Sequence, residues 1–241
     1  MNFIGKGREG YVYYYDGYAY KVINNISDNK IEKIKKLKEK EIDNVIFPKD
    51  LFIKNDEIIG YRMNYVEKKC DMYDYIESLK TLEEKINFLT EIEKVFKKLH
   101  QEKILVIDLN PRNFIIDENN KINFIDTDNY YVEDLKNDIN PLFFYRYYKL
   151  KVTKKIDVNF DRFQFFLFAL DYLTKQKMND KKFLYYIKDN TYLEEFIESL
   201  DIPRDIKDYM INLGSENKEK DYLMDNLEVL KTKKIEKIQS R

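Results

Sequence analysis

Of the 241 residues, one is cysteine, one is histidine and none is tryptophan. A lone cysteine cannot close an internal disulfide or build a multi-cysteine zinc site. A lone histidine excludes a histidine-rich metal centre and most arrangements built on two imidazoles. Charge of one sign is lacking too. Lys plus Arg number 43 and Asp plus Glu 44, a net of −1. So even a balance argues against a dedicated nucleic-acid binder, which would carry a net basic field. No stretch approaches the roughly 20 apolar residues of a membrane span. The start, Met1-Asn2-Phe3-Ile4-Gly5-Lys6-Gly7, lacks the basic, apolar and cleavage regions of a signal peptide. The sequence-based expectation is a cytoplasmic location, with secretion by a route that needs no such signal left open.

What is present is a core-forming composition beside a strongly solvated surface, 44% hydrophobic and 36% charged, with 21 Tyr and 16 Phe. Large aromatic side chains in that number argue against disorder. The length suits one large domain or two small lobes. Tyr11–Tyr15 and Tyr18–Ile23 read as strands joined at Asp16-Gly17, a two-residue hairpin signal. Residues 28–41 read as a helix with Ile31, Ile34 and Leu37 as its apolar stripe and Ser27 or Asp28 as its cap. Leu51–Ile53 and Ile58–Met63 flank Lys54–Glu57 as a second hairpin. Beyond residue 73 the character becomes helical. Ile86, Leu89, Ile92, Val95, Phe96 and Leu99 recur at helical spacing over 82–100, and 161–174 form a dense aromatic helix. Residues 182–200, 204–213 and 221–238 read as further amphipathic helices. The expected organisation is a strand-rich lobe over 1–66 and a mostly helical lobe over 67–241.

Gly5-Lys6-Gly7-Arg8-Glu9-Gly10-Tyr11-Val12 is a G-x-G-x-x-G-x-V pattern. Alone it is weak, because glycine-bearing turns are common. Its context sorts the readings. A dinucleotide fingerprint needs a helix straight after the glycines, and here a strand follows. A Walker-type loop needs Lys then Ser or Thr, which are absent. Strand, glycine turn, strand is the arrangement that lays backbone N–H groups over nucleotide phosphates. Eleven positions after Gly10 comes Lys21. Ala19 and Lys21 share one face of their strand, so a small residue leaves room for a flat base while the lysine reaches the phosphates.

The sharpest signal is Val106-Ile107-Asp108-Leu109-Asn110-Pro111-Arg112-Asn113-Phe114-Ile115-Ile116, followed by Ile122-Asn123-Phe124-Ile125-Asp126-Thr127-Asp128. With the hairpin centred between Asn119 and Asn120, Asn113 faces Asp126 across the strands. An amide and a carboxylate there supply two oxygen ligands for Mg²⁺, with Asp108 five residues upstream of Asn113 as a second carboxylate.

Over nearly its whole length the chain resembles the protein-kinase-like superfamily, in its atypical bacterial members. The resemblance implies a two-lobed α+β fold, with a small antiparallel sheet and one helix preceding a helical lobe. It implies ATP and Mg²⁺ (or Mn²⁺) as cofactors. The glycine loop (Gly5, Gly7, Gly10), Val12, Ala19 and Lys21 then belong to the nucleotide site. Met63-Asn64-Tyr65-Val66 looks like the hinge, with Met63 at the gatekeeper position. Asp108 matches the catalytic base, Asn113 the metal-binding Asn and Asp126 the metal Asp. Asp161 looks like the buried Asp that anchors the catalytic loop, and Leu99-His100 like the end of the helix before it. For the helix glutamate that pairs with Lys21, Glu32 fits the spacing to Val45 but lies off the Ile31/Ile34/Leu37 face, whereas Glu41 lies nearer that face but late; Glu32 is slightly preferred.

The departures are specific. The HRD motif reads Val106-Ile107-Asp108, without its His and Arg, which removes the usual charge partner of a phosphorylated activation loop. The loop lysine is Asn110, for which Arg112 can partly substitute. DFG reads Asp126-Thr127-Asp128, and no A-P-E motif follows. The resemblance implies a serine/threonine protein kinase first, acting on a hydroxyl of a protein. A small-molecule kinase of the aminoglycoside or choline type and a nucleotide-binding pseudokinase are the alternatives. No nucleic-acid partner is expected, and an activating partner is possible. His100 and Cys70 read as structural and inert, and Lys231–Lys237 as a solvated terminal helix.

Overall fold

The computed structural model describes residues 1–133 and 135, and scattered positions between 157 and 224. Its first sheet is set by two tight turns. Asp16 and Gly17 have φ of 48° and 78°, and Asn55 and Asp56 have φ of 51° and 62°. Positive φ at both central residues gives the turn whose twist matches its flanking strands, and Asp, Asn and Gly tolerate that region best. The strands are β1 (Asn2–Lys6), β2 (Gly10–Tyr15), β3 (Tyr18–Ile23), β4 (Pro48–Lys54) and β5 (Glu57–Asn64). They pair antiparallel in the order β1-β2-β3-β5-β4. Both expected hairpins are present.

Along β3 the buried residues are Ala19, Lys21 and Ile23, alternating with half-buried Tyr18, Tyr20 and Val22. Ala19 and Ile23 join Ile34, Tyr61 and Met63 in one apolar cluster, flanked by Val12, Ile26, Ile46 and Leu51. Ile34 belongs to α1 (Asp28–Leu37). Ser27 caps that helix by accepting from the Lys30 amide at 3.1 Å. The helix stops at Leu37 rather than 41, because Lys38-Glu39-Lys40-Glu41 offers nothing apolar to bury. Its buried face also differs from the expected stripe: Lys30, Lys33, Ile34 and Leu37 line it, and Ile31 is half-buried.

Two short strands follow, β6 (Cys70–Asp71) and, after the helices α2 (Met72–Ser78) and α3 (Leu82–Gln101), β7 (Ile104–Leu105). α3 starts in a capping box. Thr81 Oγ1 accepts from the Glu84 amide at 3.1 Å, and Glu84 accepts from the Thr81 amide at 2.8 Å. All six apolar residues expected on its inner face are buried. β8 (Phe114–Ile116) and β9 (Ile122–Phe124) form a hairpin with β6 at its edge, and β10 (Tyr131–Val132) pairs with β7.

The β8–β9 register corrects one expectation. Phe114 faces Phe124 and Ile116 faces Ile122, so Asn113 lies opposite Ile125 and not Asp126. The Ile125 amide donates to the Asn113 carbonyl at 2.9 Å. The shift comes from a five-residue turn, Asp117 to Lys121, closed by the Asp117 amide on the Lys121 carbonyl at 3.0 Å. The Asp117 carboxylate accepts from the amides of Asn119 and Lys121 inside it.

The chain divides into two compact units. The first comprises Met1–Tyr75, Lys98–Val106 and Asn110–Ile139, and the second Ile76–Lys97, Ile107–Leu109 and Asn140–Arg241. The expected division at residue 66 follows chain order, and these units do not. The β8–β9 hairpin belongs with the first sheet because residues 44–46 run beside β9: the Phe124 amide donates to Asn44 at 2.7 Å and the Ile46 amide to Phe124 at 2.9 Å. In the second unit, helical residues Phe165, Phe168, Ala169 and Tyr172 are buried, as expected for the aromatic helix. The expected helices 182–200 and 221–238 fall mostly, and Lys231–Lys237 wholly, outside the described residues, while in 204–213 the described residues Arg204, Asp205, Lys207, Asp208 and Ile211 are helical as expected.

Glycine is required by close approach at two positions. A Cβ on Gly10 would sit 1.8 Å from the Val22 carbonyl oxygen, and one on Gly60 would sit 1.9 Å from that of Lys21. The backbone of β3 at Lys21–Val22 is thus gripped from both sides by glycines of its neighbours. Gly60→Ala is expected to destabilise the fold by about 1–3 kcal/mol, as overpacking does. Gly7→Ala, whose Cβ would meet open space, is expected to stay within about 0.5 kcal/mol of wild type. Thermal unfolding of the two variants checks the contrast, and equal melting temperatures would refute it.

Candidate functional site

Lys21 is 6% exposed. A buried ammonium has to be paired, and this one lies among three carboxylates of the first unit. It donates to Asp126, 105 residues downstream, and to Asp128 Oδ1 at 2.8 Å, with Glu9 at 3.8 Å. Asp126 occupies the left-handed region, φ 60° and ψ 32°, and opens a 3-10 turn over Thr127–Asn129. That turn lets the carboxylates at 126 and 128 both meet one lysine.

The two carboxylates are not equivalent. The side chain of Asp126 is 34% exposed and that of Asp128 is 0% exposed. Asp128 Oδ1 also accepts from the Tyr61 hydroxyl at 2.7 Å, while Oδ2 lies 2.6 Å from the Lys30 ammonium. Lys30 donates in addition to Asn129 Oδ1 at 2.5 Å and to Glu9 at 3.3 Å. Burial alone would raise the Asp128 carboxyl, but Lys21 and Lys30 overcome it and hold the group well below the usual carboxylate range. Burial would likewise lower the Lys21 ammonium, and Asp128 and Asp126 push it up instead. At Asp126 burial prevails over Lys21 and, with the charge of Asp128, raises the carboxyl. Burial also raises the Tyr61 phenol, so it stays a donor.

The turn carrying these groups is fixed from behind. Thr127 is fully buried, and its hydroxyl donates to the Ile46 carbonyl at 2.9 Å.

The glycine loop reaches the same cluster. The Gly7 amide donates to the Gly10 carbonyl at 2.9 Å, leaving Arg8-Glu9 as a two-residue tip. The Asn24 amide holds the Glu9 carbonyl at 2.9 Å. A Cβ on Gly5 or Gly7 would meet nothing within 4 Å, and neither has a positive φ. The fold itself therefore makes no steric demand for glycine at those two positions, unlike Gly10.

Of the residues expected at a hinge, Met63 is buried and pairs with Ala19 across the strands. Asn64 ends β5, Val66 is half-buried, and the Tyr65 amide donates to the Gly17 carbonyl at 3.3 Å. Val12 pairs with Lys21. Asn113 ends the 3-10 turn Pro111–Asn113, whose cap is Asn110 accepting from the Arg112 amide at 3.0 Å. Arg112 itself is exposed. Glu32 is not a partner of Lys21. Its side chain is 57% exposed and pairs with Lys35 at 2.7 Å, since position 32 lies on the outer side of a helix whose inner face is 30, 33, 34 and 37. Glu41 is exposed and past the helix end. Among the described residues, no three His, Cys, Asp or Glu side chains gather as a metal centre.

Asp108 belongs to the second unit, between Ile107 and Leu109. Ile107 has φ of 45°, a costly conformation for a β-branched residue. The fully buried Asp161 holds it, accepting from the Ile107 amide at 2.8 Å.

Glu9, Lys30, Tyr61 and Asp128 were not singled out by sequence. Lys30 had a signal, since it lies four and seven positions before Ile34 and Leu37, on their face.

Asp128→Asn leaves two buried ammonium groups short of a counter-charge and is expected to cost about 3–5 kcal/mol. Asp126→Asn, which removes a carboxylate whose ionisation burial disfavours, is expected to leave the melting temperature unchanged or higher. The depressed Asp128 group contributes stability fully above the ordinary Asp value of about 3.9, and this is lost as pH falls below it. Melting curves from pH 7 to 2 check both points: the acid loss of stability should shrink in Asp128→Asn. No family model matches the chain, and no curated protein matches it.

Proposed function

We propose that the chain is an ATP- and Mg²⁺-dependent phosphotransferase, and foremost a serine/threonine protein kinase of two-lobed, kinase-like fold. The observation that carries this reading is the buried Lys21 paired to Asp126 from far along the chain, beside a glycine loop that needs its first two glycines for nothing in its own fold. A lysine and a carboxylate brought together under such a loop are the parts that phosphoryl transfer needs.

In this reading the loop amides and Lys21 bind the phosphates, and Ala19 and Met63 line the base. Asp126 and Asn113 offer hard oxygen donors, which suit Mg²⁺, and Asp126 keeps a third of its side chain exposed. The ion, when bound, supplies charge neutralisation at the β- and γ-phosphates. Asp108 orients the acceptor hydroxyl and takes its proton as the oxygen bonds to the γ-phosphorus. The bond from that phosphorus to the bridging oxygen breaks, and ADP leaves with the electron pair. A second reading, a nucleotide-binding pseudokinase, is favoured by one observation: α1 brings a lysine, not a glutamate, to the Lys21 cluster.

Incubation of wild-type protein and Asp108→Ala with γ-labelled ATP and Mg²⁺, alone and with lysate of its own source, tests the reading. Wild type is expected to transfer label and the variant to lose at least 100-fold of that rate. Labelled protein supports a protein kinase and a labelled metabolite a small-molecule kinase. No transfer, with Mg-ATP still raising the melting temperature, supports the pseudokinase. Neither transfer nor binding overturns all three.

A further inference from the structure

We propose that Asp128 is the positioning residue for Lys21, and that Lys30 is the counter-cation through which helix α1 is coupled to the site. The proposal rests on the phosphotransferase reading and adds residues to it.

Lys21 has one partner that can be exchanged and one that cannot. Asp126 is a third exposed, so that a cation can compete for it and a phosphate for Lys21. Asp128 has no exposure and is fastened by two donors on Oδ1, the Lys21 ammonium and the Tyr61 hydroxyl, and by the ion pair of Oδ2 with Lys30. A side chain as long as lysine loses much rotamer freedom when held. The residue that keeps it aimed after Asp126 turns to another ligand has to be one that solvent and ligand do not reach. Among the described residues that pair with Lys21, only Asp128 has that property.

Lys30 then has a clear task. A buried carboxylate shared by two ammonium groups remains balanced when one of them turns part of its charge to an anion. With Lys21 as sole partner, each move of Lys21 toward a phosphate would strip Asp128 of its counter-charge. Lys30 removes that penalty and ties the position of α1 to the Asp126–Asn129 turn through Asp128 Oδ2 and Asn129 Oδ1. Glu32 of the same helix faces away and Asp28 is exposed, so neither carboxylate of α1 duplicates the role.

The test is a set of steady-state kinetics and ATP-binding isotherms on the full chain with Mg-ATP, each variant first checked for a native circular dichroism spectrum. Asp128→Asn is expected to lower kcat at least tenfold. Lys21→Met with Asp128→Asn is expected to be no slower than Lys21→Met alone, because a positioning residue acts only through what it positions. Lys30→Arg should lose less than Lys30→Met. If Asp128→Asn does not fold, Tyr61→Phe takes its place. It removes one donor from Asp128 and should lower kcat three- to tenfold, again with no further loss on a Lys21→Met background. Additive losses in the double variant, or unchanged kcat in Asp128→Asn or Tyr61→Phe, overturn the proposal while wild-type transfer stands. Absence of transfer and of Mg-ATP binding by wild type overturns the phosphotransferase reading itself.

Discussion

A carboxylate without exposed surface has lost all its water, and its charge has to be met by the protein or given up. Asp128 is met three times over, by two lysines and a tyrosine, and each donor comes from a different element. Lys21 lies on β3, Lys30 on α1 and Tyr61 on β5. The carboxylate itself comes from the turn after β9. One side chain therefore joins the sheet, helix α1 and the downstream hairpin of the first unit. The nearby backbone obeys the same constraint. Gly10 and Gly60 let the neighbouring strands close on β3 at Lys21–Val22, and Thr127 fastens the turn to the strand-like segment at Ile46.

That arrangement gives physical meaning to the departures from the kinase pattern. Where the resemblance implies a helix glutamate for Lys21, the helix supplies a lysine and the carboxylate moves to the turn. Where it implies a phenylalanine after Asp126, there is a threonine whose hydroxyl finds the Ile46 carbonyl. A buried polar residue in place of an apolar one survives because a backbone acceptor meets it. The two changes belong together. A turn fixed by Thr127 is what makes Asp128 a stationary partner for two lysines.

The legibility of this site in the sequence was uneven for reasons of range. The strands, both tight turns and the inner face of α3 were readable, because they rest on periodicities of two and 3.6 and on residues that tolerate positive φ. Lys21 and Asp126 were each readable through motif spacing, but their pairing was not, since the partner expected for Lys21 was a glutamate of the helix. The β8–β9 register was not, because Asp117 reorganises the turn with its own side chain and shifts the pairing by one residue. Asp128 and Lys30 were hidden for another reason. One looked like the last letter of a degenerate motif, and the other was one lysine in a lysine-rich helix. Only their meeting, 98 positions apart in number (128 − 30), gives them a role, and no local pattern encodes that.

The second unit follows the same principle with a different buried acid. Asp161 is fully buried. It accepts the amide of Ile107, whose positive φ an isoleucine would not adopt unaided. Asp108 follows directly in the chain, so its backbone direction is set by a strained neighbour and a fully buried carboxylate behind that neighbour. In both units, then, a buried acid supports the segment that carries a candidate residue, Asp128 through Lys21 and Asp161 through Ile107. An exposed carboxylate in either supporting position would be open to water and to the ligands it has to help orient. Burial, costly for an isolated charge, is what makes Asp128 and Asp161 reliable supports, and the paired donors around each are the condition for that burial.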